Sequence, residues 1–245
     1  MNYESLLELV KNRRSFRQFK PDPLPEGTVA KVLEVARHVP SAGNSQPWEF
    51  VVVQDQKLKD DLVQILRVDM AHHAEMETRR ESWQGQSQLP RYLTGQEIDD
   101  FSKAPVFILV FGDTRTNVGL PMRRRFSYDG TQQAYMSGLA SALLYMHLAA
   151  ASLGLSSQWV SSVGNPYAHC LIKDLLGIPP ALEVYDMMAL GYPGYKPGPR
   201  PVRDREEIVH YNYCGEDAFR TDDQVRDFIK KIRGANLTPE QRKPD

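Results

Sequence analysis

Residues 129–153 constrain this chain's fold more than any other stretch. Ala134, Met136, Leu139, Ala140, Leu143, Leu144, Met146, Leu148 and Ala149 recur there at helical spacing, and Gly154 stands at the C-cap position. Apolar side chains cover most of the circumference, so the helix is expected to be buried all round. Gly138 and the alanines leave room for a second helix to approach closely.

The rest of the chain supplies shorter pieces. Residues 3–13 and 27–39 read as amphipathic helices, the second stopped by Pro40. The runs 50–53 and 106–110 are β-branched and apolar and read as strands, as do 158–163 and 184–190. Residues 57–81 read as a helix with a polar surface, and 83–95, richer in Gln, Pro and Gly, as a loop. The proline- and glycine-rich stretch 191–201 reads as a stiff extended segment outside the core, and 221–233 as a last helix before a frayed tail. Few, short strands without strict βαβ alternation point to an α+β fold, a three-layer α/β sandwich around one sheet.

Composition narrows the function. Hydrophobic residues make up 41% and charged residues 25%, as in ordinary globular chains. Thirty Lys and Arg against 31 Asp and Glu give a net charge of −1, not the basic footprint of a nucleic-acid binder. Two cysteines, Cys170 and Cys214, make neither a disulfide framework nor a zinc ribbon. The N-terminal residues carry Glu4 and Glu8 and lack the pattern of a secretion signal. The apolar run 105–111 falls well short of the ~20 residues that span a bilayer. The expectation is a cytoplasmic protein without membrane or nucleic-acid partners.

The common catalytic patterns are missing. There is no GxGxxG, no P-loop, no HExxH, no paired ExxH and no GxSxG elbow. Four other clusters remain. Arg13, Arg14 and Arg17 surround Ser15 just after the first helix, and such guanidinium forks suit a phosphate or a solvated helix end. Pro40, Ser41, Ala42, Gly43, Asn44, Ser45 and Gln46 form a small polar loop before Trp48. It suits close approach to a flat heterocycle or a plain helix-to-strand connection. Gly154-Leu155 leads into Trp159, Val160, Ser161 and Ser162, and Gly191-Tyr192-Pro193 precedes Arg200, Arg203 and Arg205.

In this order and spacing the clusters resemble the nitroreductase family of flavoproteins. The motifs are Arg13-Arg14-Ser15-Phe16-Arg17, the loop from Pro40 to Trp48, Gly154-Leu155 with Trp159, and Gly191-Tyr192-Pro193. The resemblance covers residues 3–210. It implies a central mixed or antiparallel sheet flanked by helices, an extended C-terminal arm, and a homodimer with one FMN in each of two interfacial sites. Residues 1–212 would form the FMN-binding domain, with a lid at 67–103, and 213–245 a terminal helix and tail.

By the same resemblance, Arg13, Arg14 and Ser15 would hold the FMN phosphate and ribityl end, with Arg17 at the ring edge. Pro40, Ser41, Ala42, Asn44 and Gln46 lie in the loop that would reach the ring and ribityl chain from the partner subunit. Trp159, Val160, Ser161 and Ser162 would run along the flavin, with the Ser161 backbone N–H near N5. Arg203, or alternatively Arg200, would give a second phosphate ligand, although the arm departs from the family's usual sequence here. The implied activity is reduction of a nitroaromatic, quinone or similar electron-poor molecule with NADH or NADPH. Reductive dehalogenation, oxygen-dependent flavin fragmentation and non-catalytic flavin binding are alternatives on the same fold. No side chain is expected to act as a catalytic acid or base, and no metal is expected.

Overall fold

The computed structural model describes residues 2–79, 98, 101–122, 128–198, 202–215 and 218–235, in two compact units, 1–194 and 195–245. The first unit opens with helix α1 (Tyr3–Asn12), strand β1 (Phe19–Lys20) and helix α2 (Thr28–Arg37). Strand β2 (Trp48–Val53), helix α3 (Gln56–Thr78), strand β3 (Val106–Asp113) and helix α4 (Tyr128–Ser152) follow. Strand β4 (Ser156–Val160), helix α5 (Pro166–Leu175) and strand β5 (Leu182–Pro193) complete it.

The sheet order is β1-β5-β3-β2, with β4 also on β5, and every pairing between these strands is antiparallel. Its centre, β3, is buried on both faces: Phe107, Ile108, Leu109, Val110 and Phe111 are fully enclosed. Such a strand needs a layer on each side, and two cores supply them. One core packs Leu62 and Leu66 of α3 and Ala168 and Ile172 of α5 against Phe107, Leu109 and Met187. The other packs Val32 and Ala36 of α2 and Leu139, Leu143 and Met146 of α4 against Ile108, Val110 and Met188. This is the expected three-layer α+β arrangement.

Local signals place the helix ends. Asn2 caps α1 by accepting from the Ser5 N–H at 2.9 Å, and Asp55 caps α3 through the Leu58 N–H at 2.9 Å. Gly154 takes φ +72° after α4, and Leu155 N–H returns to the Ala150 carbonyl at 2.9 Å.

The structure revises several expectations. Helix α4 is not buried all round: Met136, Leu144 and Tyr145 lie on an exposed stripe. Helix α4 is also the one described helix long and apolar enough by composition to cross a bilayer, but 56% of that window is buried in the fold. Strand β5 runs on through Gly191, Tyr192 and Pro193, which the proline-rich reading had left outside the core. Gly191 permits this because a Cβ there would stand 2.7 Å from Pro105 Cδ. Strand β4 starts and ends earlier than expected, at Ser156 and Val160, and Ser162–Gly164 forms a 3₁₀ turn. Residues 67–78, where the expected lid overlaps the helix expected at 57–81, lie in α3 as that helix reading has it, and Asp69 there is 1% exposed. Residues 80–97 of that expected lid lie outside the described residues.

The first unit ends at Gly194, one residue after Pro193 pairs with Phe19. The second unit contains a 3₁₀ turn, Arg205–Glu207, and helix α6 (Asp222–Ala235), close to its expected span.

Candidate functional site

The arginine segment leaves α1 and runs beside β4. Ser15 bridges Ser157, and the Phe16 N–H donates to the Ser157 carbonyl at 3.0 Å. Gln18 then accepts from the Gly194 N–H at 2.9 Å, which ties the segment to the end of β5. The distant clusters 13–17 and 157–161 therefore meet at one sheet edge. Arg13, Arg14 and Arg17 are half-buried and Ser15 is exposed. Arg14 donates through Nη1 to the carbonyls of Lys11 and Arg13, closing the C-terminal end of α1. Its Nε is buried and has no hydrogen-bond partner among the described residues. A buried guanidinium N–H without an acceptor is costly, and an anion at this edge would satisfy it.

Behind this edge lies a polar chain that sequence reasoning missed. Ser157 Oγ stands 2.6 Å from His147 Nδ1 on α4. The His147 ring stacks on Trp159, and Trp159 Nε1 donates to Asp186 Oδ2 at 2.7 Å. Burial and the nearby Arg13 charge push the His147 imidazole down to about 4, so it is neutral at ordinary pH. Burial pushes the Asp186 carboxyl up to about 6, against the opposing pull of hydrogen bonds from the Trp159 and Ser161 side chains. The signal for both was an ionisable residue beside a run of apolar ones, His147 after Leu143 to Met146 and Asp186 before Met187 to Leu190. Of the expected residues here, Trp159 is half-buried, Ser161 is exposed and Ser162 half-buried. The Val160 side chain joins the core on the α3 side of the sheet, and the residue pairs with Met187 of β5.

The second cluster is held rigidly elsewhere. Ala42–Asn44 forms a 3₁₀ turn in which Gly43 and Asn44 take φ of 61° and 51°, and Gln46 just beyond it takes 43°. The Gln46 N–H donates to Ser41 Oγ at 2.9 Å, and the Asn44 N–H to the Ser41 carbonyl at 3.0 Å. Left-handed conformations at two non-glycine residues are strained, and this bonding pins them. The loop flanks a groove of about 540 Å³ shared with Leu120 and with Gln133, Ser137 and Ser141 of α4. Pro40 is exposed on it and Ser41 and Ala42 are half-buried, while Asn44 and Gln46 are exposed outside its lining.

The two clusters attach to α4 at different points. The loop abuts α4 at Gly138, where a Cβ would meet Pro47 Cγ at 3.1 Å, whereas the arginine edge is tied to α4 at His147. Nine residues of helix separate the two points, a rise of about 14 Å. Of the expected arm residues, Arg203 donates to Glu207 Oε2 at 3.2 Å and to its carbonyl at 2.8 Å within the second unit, and Arg200 lies outside the described residues.

Comparison with known proteins gives one answer. The sequence profile of the nitroreductase family matches residues 10–192. An NADH dehydrogenase of Thermus thermophilus is 30% identical over 200 residues, covering 80% of this chain and 91% of that one. A 5,6-dimethylbenzimidazole synthase of Rhodospirillum rubrum is 29% identical over 199 residues, covering 78% of this chain and 82% of that one. Among solved structures, the NADPH:FMN oxidoreductase of Vibrio harveyi complexed with NAD⁺ superposes with a TM-score of 0.67 at 18% identity. That match spans 96% of this chain and 88% of the other.

Proposed function

Because this chain belongs to the nitroreductase family, we propose that it is an FMN-dependent oxidoreductase. It uses NADH or NADPH to reduce a nitroaromatic, quinone or similar electron-poor small molecule. The observation that carries the reading is the arginine edge: three guanidiniums and a serine hydroxyl beside β4, with the Arg14 Nε–H buried and lacking an acceptor among the described residues. That donor set fits a dianionic phosphate, and each charge-assisted bond contributes about 1.5–3 kcal/mol.

When bound, FMN supplies the hydride chemistry at N5. The chain's own work is to bind, orient and shield. Arg13, Arg14 and Ser15 hold the phosphate end, and Arg17 places positive charge at the ring edge. The backbone from Trp159 to Ser162 lies along the ring, with the Ser161 N–H toward N5. Pro40, Ser41, Ala42, Asn44 and Gln46 close the site from a second copy of the chain. The separation of the two clusters along α4 supports that division of labour. So does the exposed apolar face of Met136, Leu144 and Tyr145 on α4 and of Tyr3, Leu6 and Val10 on the adjoining α1.

An anaerobic absorbance titration of the purified chain tests this. Bound FMN should bleach with NADH or NADPH and recover on addition of a nitroaromatic. A chain that takes up no FMN overturns the proposal, and bound FMN that neither nicotinamide bleaches removes the proposed donor.

A further inference from the structure

We propose that Asp69 on α3 is a positioning residue for the flavin: by holding Asn165 it fixes the turn that carries the Ser161 N–H. This rests on the FMN reading above.

Asp69 is 1% exposed, and a carboxyl so enclosed needs donors from the protein itself. Asn165 supplies one, its Nδ2 donating to Asp69 Oδ2 at 2.7 Å across 96 residues of sequence. His73 Nδ1, one helical turn along α3, stands 3.3 Å from the same oxygen and 2.9 Å from the Asp69 carbonyl. Asn165 occupies the N-cap of α5, where an asparagine side chain ordinarily accepts from the first free N–H groups of its own helix. It makes no such bond here and reaches α3 instead. Its side chain therefore serves the join between two elements rather than the local helix start.

Asn165 also ends the turn that begins at Ser161. The Gly164 N–H donates to the Ser161 carbonyl at 3.0 Å and the Asn165 N–H to the Ser162 carbonyl at 3.2 Å. Val163 within the turn is fully buried in the core on the α3 side. A Cβ on Gly164 would stand 3.1 Å from the Tyr185 carbonyl oxygen, so the turn lies close on β5. Upstream, the last pairing of β4 is Val160 with Met187. Ser161 to Asn165 is thus a short link with a directional bond at each end: the sheet at Val160 and Asp69 at Asn165. The apolar contact of Val163 is non-directional and by itself lets the turn pivot. The bond to Asp69 removes that freedom. A hydrogen bond from the Ser161 N–H to N5 weakens steeply with misalignment, so Asp69 acts on the flavin without touching it.

The test compares the FMN-loaded full chain with Asn165→Ala, with Asn165→Asp and with the exchanged pair Asp69→Asn plus Asn165→Asp. The NMR signal of ¹⁵N5-labelled oxidised FMN and the rate at which NADH or NADPH bleaches it report on the flavin. Thermal unfolding reports on the fold. Asn165→Asp sets two carboxyls against each other in a buried site. It should move the N5 signal and slow bleaching about 10- to 100-fold. The exchanged pair restores one donor and one acceptor with the roles reversed, and should return both readouts close to wild type. Asn165→Ala loses the donor without adding charge and should slow bleaching too, so it carries the test if Asn165→Asp fails to fold. If Asn165→Ala unfolds at a lower temperature but keeps the wild-type N5 signal and bleaching rate, the pair only stabilises the fold. That result overturns the proposal and leaves the FMN reading intact, as does an exchanged pair that recovers neither readout. A chain that takes up no FMN overturns both.

Discussion

The His147 imidazole lies flat on the Trp159 indole, with ring centroids 5.6 Å apart and planes 16° from parallel. Through that indole it sits next to Asp186, and the two buried groups respond to acid in opposite senses. For His147, the unfolded chain takes up a proton between pH 6.5 and about 4 that the folded imidazole refuses, so falling pH destabilises the fold. For Asp186, the folded chain keeps a proton that the unfolded chain releases between pH 3.8 and about 6, so falling pH stabilises it. Each effect is of order 3 kcal/mol between its limits. The pair should leave the wild type's stability nearly flat between about pH 6 and 4.5 as far as these two groups decide it. Asp186→Asn removes the compensation while keeping an acceptor for Trp159. It should be more stable than wild type by about 1–3 kcal/mol at pH 8 and should lose that advantage on acidification. Urea unfolding across this range measures it, and a variant weaker than wild type at pH 8 refutes the assignment.

Gly112 and Tyr135 define a second test. A Cβ on Gly112 would stand 1.8 Å from the Tyr135 hydroxyl oxygen and 2.4 Å from its Cζ. That hydroxyl is buried without a hydrogen-bond partner among the described residues. Gly112→Ala should therefore destabilise by about 1–3 kcal/mol. Tyr135→Phe removes the orphaned group and should be neutral or stabilising by about 1 kcal/mol. In the double variant part of the Gly112→Ala cost should be recovered, because the nearest clashing atom is gone. A double-mutant cycle by thermal unfolding reads the coupling, and strict additivity would place the strain elsewhere.

How much was legible in the sequence differs between particular elements. The long helix and the central strand follow from local patterns that the fold keeps, whereas the meeting of Arg13–Arg17 with the segment after Gly154 is a long-range pairing of Ser15 with Ser157 that only the family resemblance implied. Helix α5 was legible though not read: Asn165 stands at its N-cap and Pro166 in its first turn, the usual signals of a helix start. Two-residue strand β1 carries no periodicity of its own and exists only by pairing with Tyr192 and Pro193. Gly191 and Pro193 read as breakers, yet Gly191 is the residue that lets Pro105 approach the sheet. The polar chain from Ser157 to Asp186 joins residues from α4, β4 and β5, and only tertiary packing reveals it.

Arg14 offers a direct reading of the phosphate site. Arg14→Lys keeps a positive charge but loses the planar fork and the buried Nε–H. FMN affinity should fall about 10- to 100-fold, the equivalent of one charge-assisted bond. The FMN-free chain also loses the bonds to the Lys11 and Arg13 carbonyls, which should cost it only about 1 kcal/mol. Fluorescence titration with FMN, run beside thermal unfolding of the FMN-free protein, separates the two effects. Equal FMN affinity in the variant would remove Arg14 from the phosphate site.

The exposed stripe of α4 yields the last test. Leu144 is 45% exposed and Tyr145 41%, beside the uncovered apolar face of α1 with Leu6 at 45%. A second copy laid on this surface would bury it and would set its Ser41–Asn44 loop against the arginine edge of the first. Leu144→Asp places a charge at the centre of that contact, where desolvation is costly, without touching either cluster. Light scattering after size exclusion should find a dimer for the wild type and a monomer for the variant. FMN retention should be lost with the dimer, because each site would then have only one of its two halves. A monomeric variant that still binds FMN at wild-type affinity would show that one chain builds the whole site.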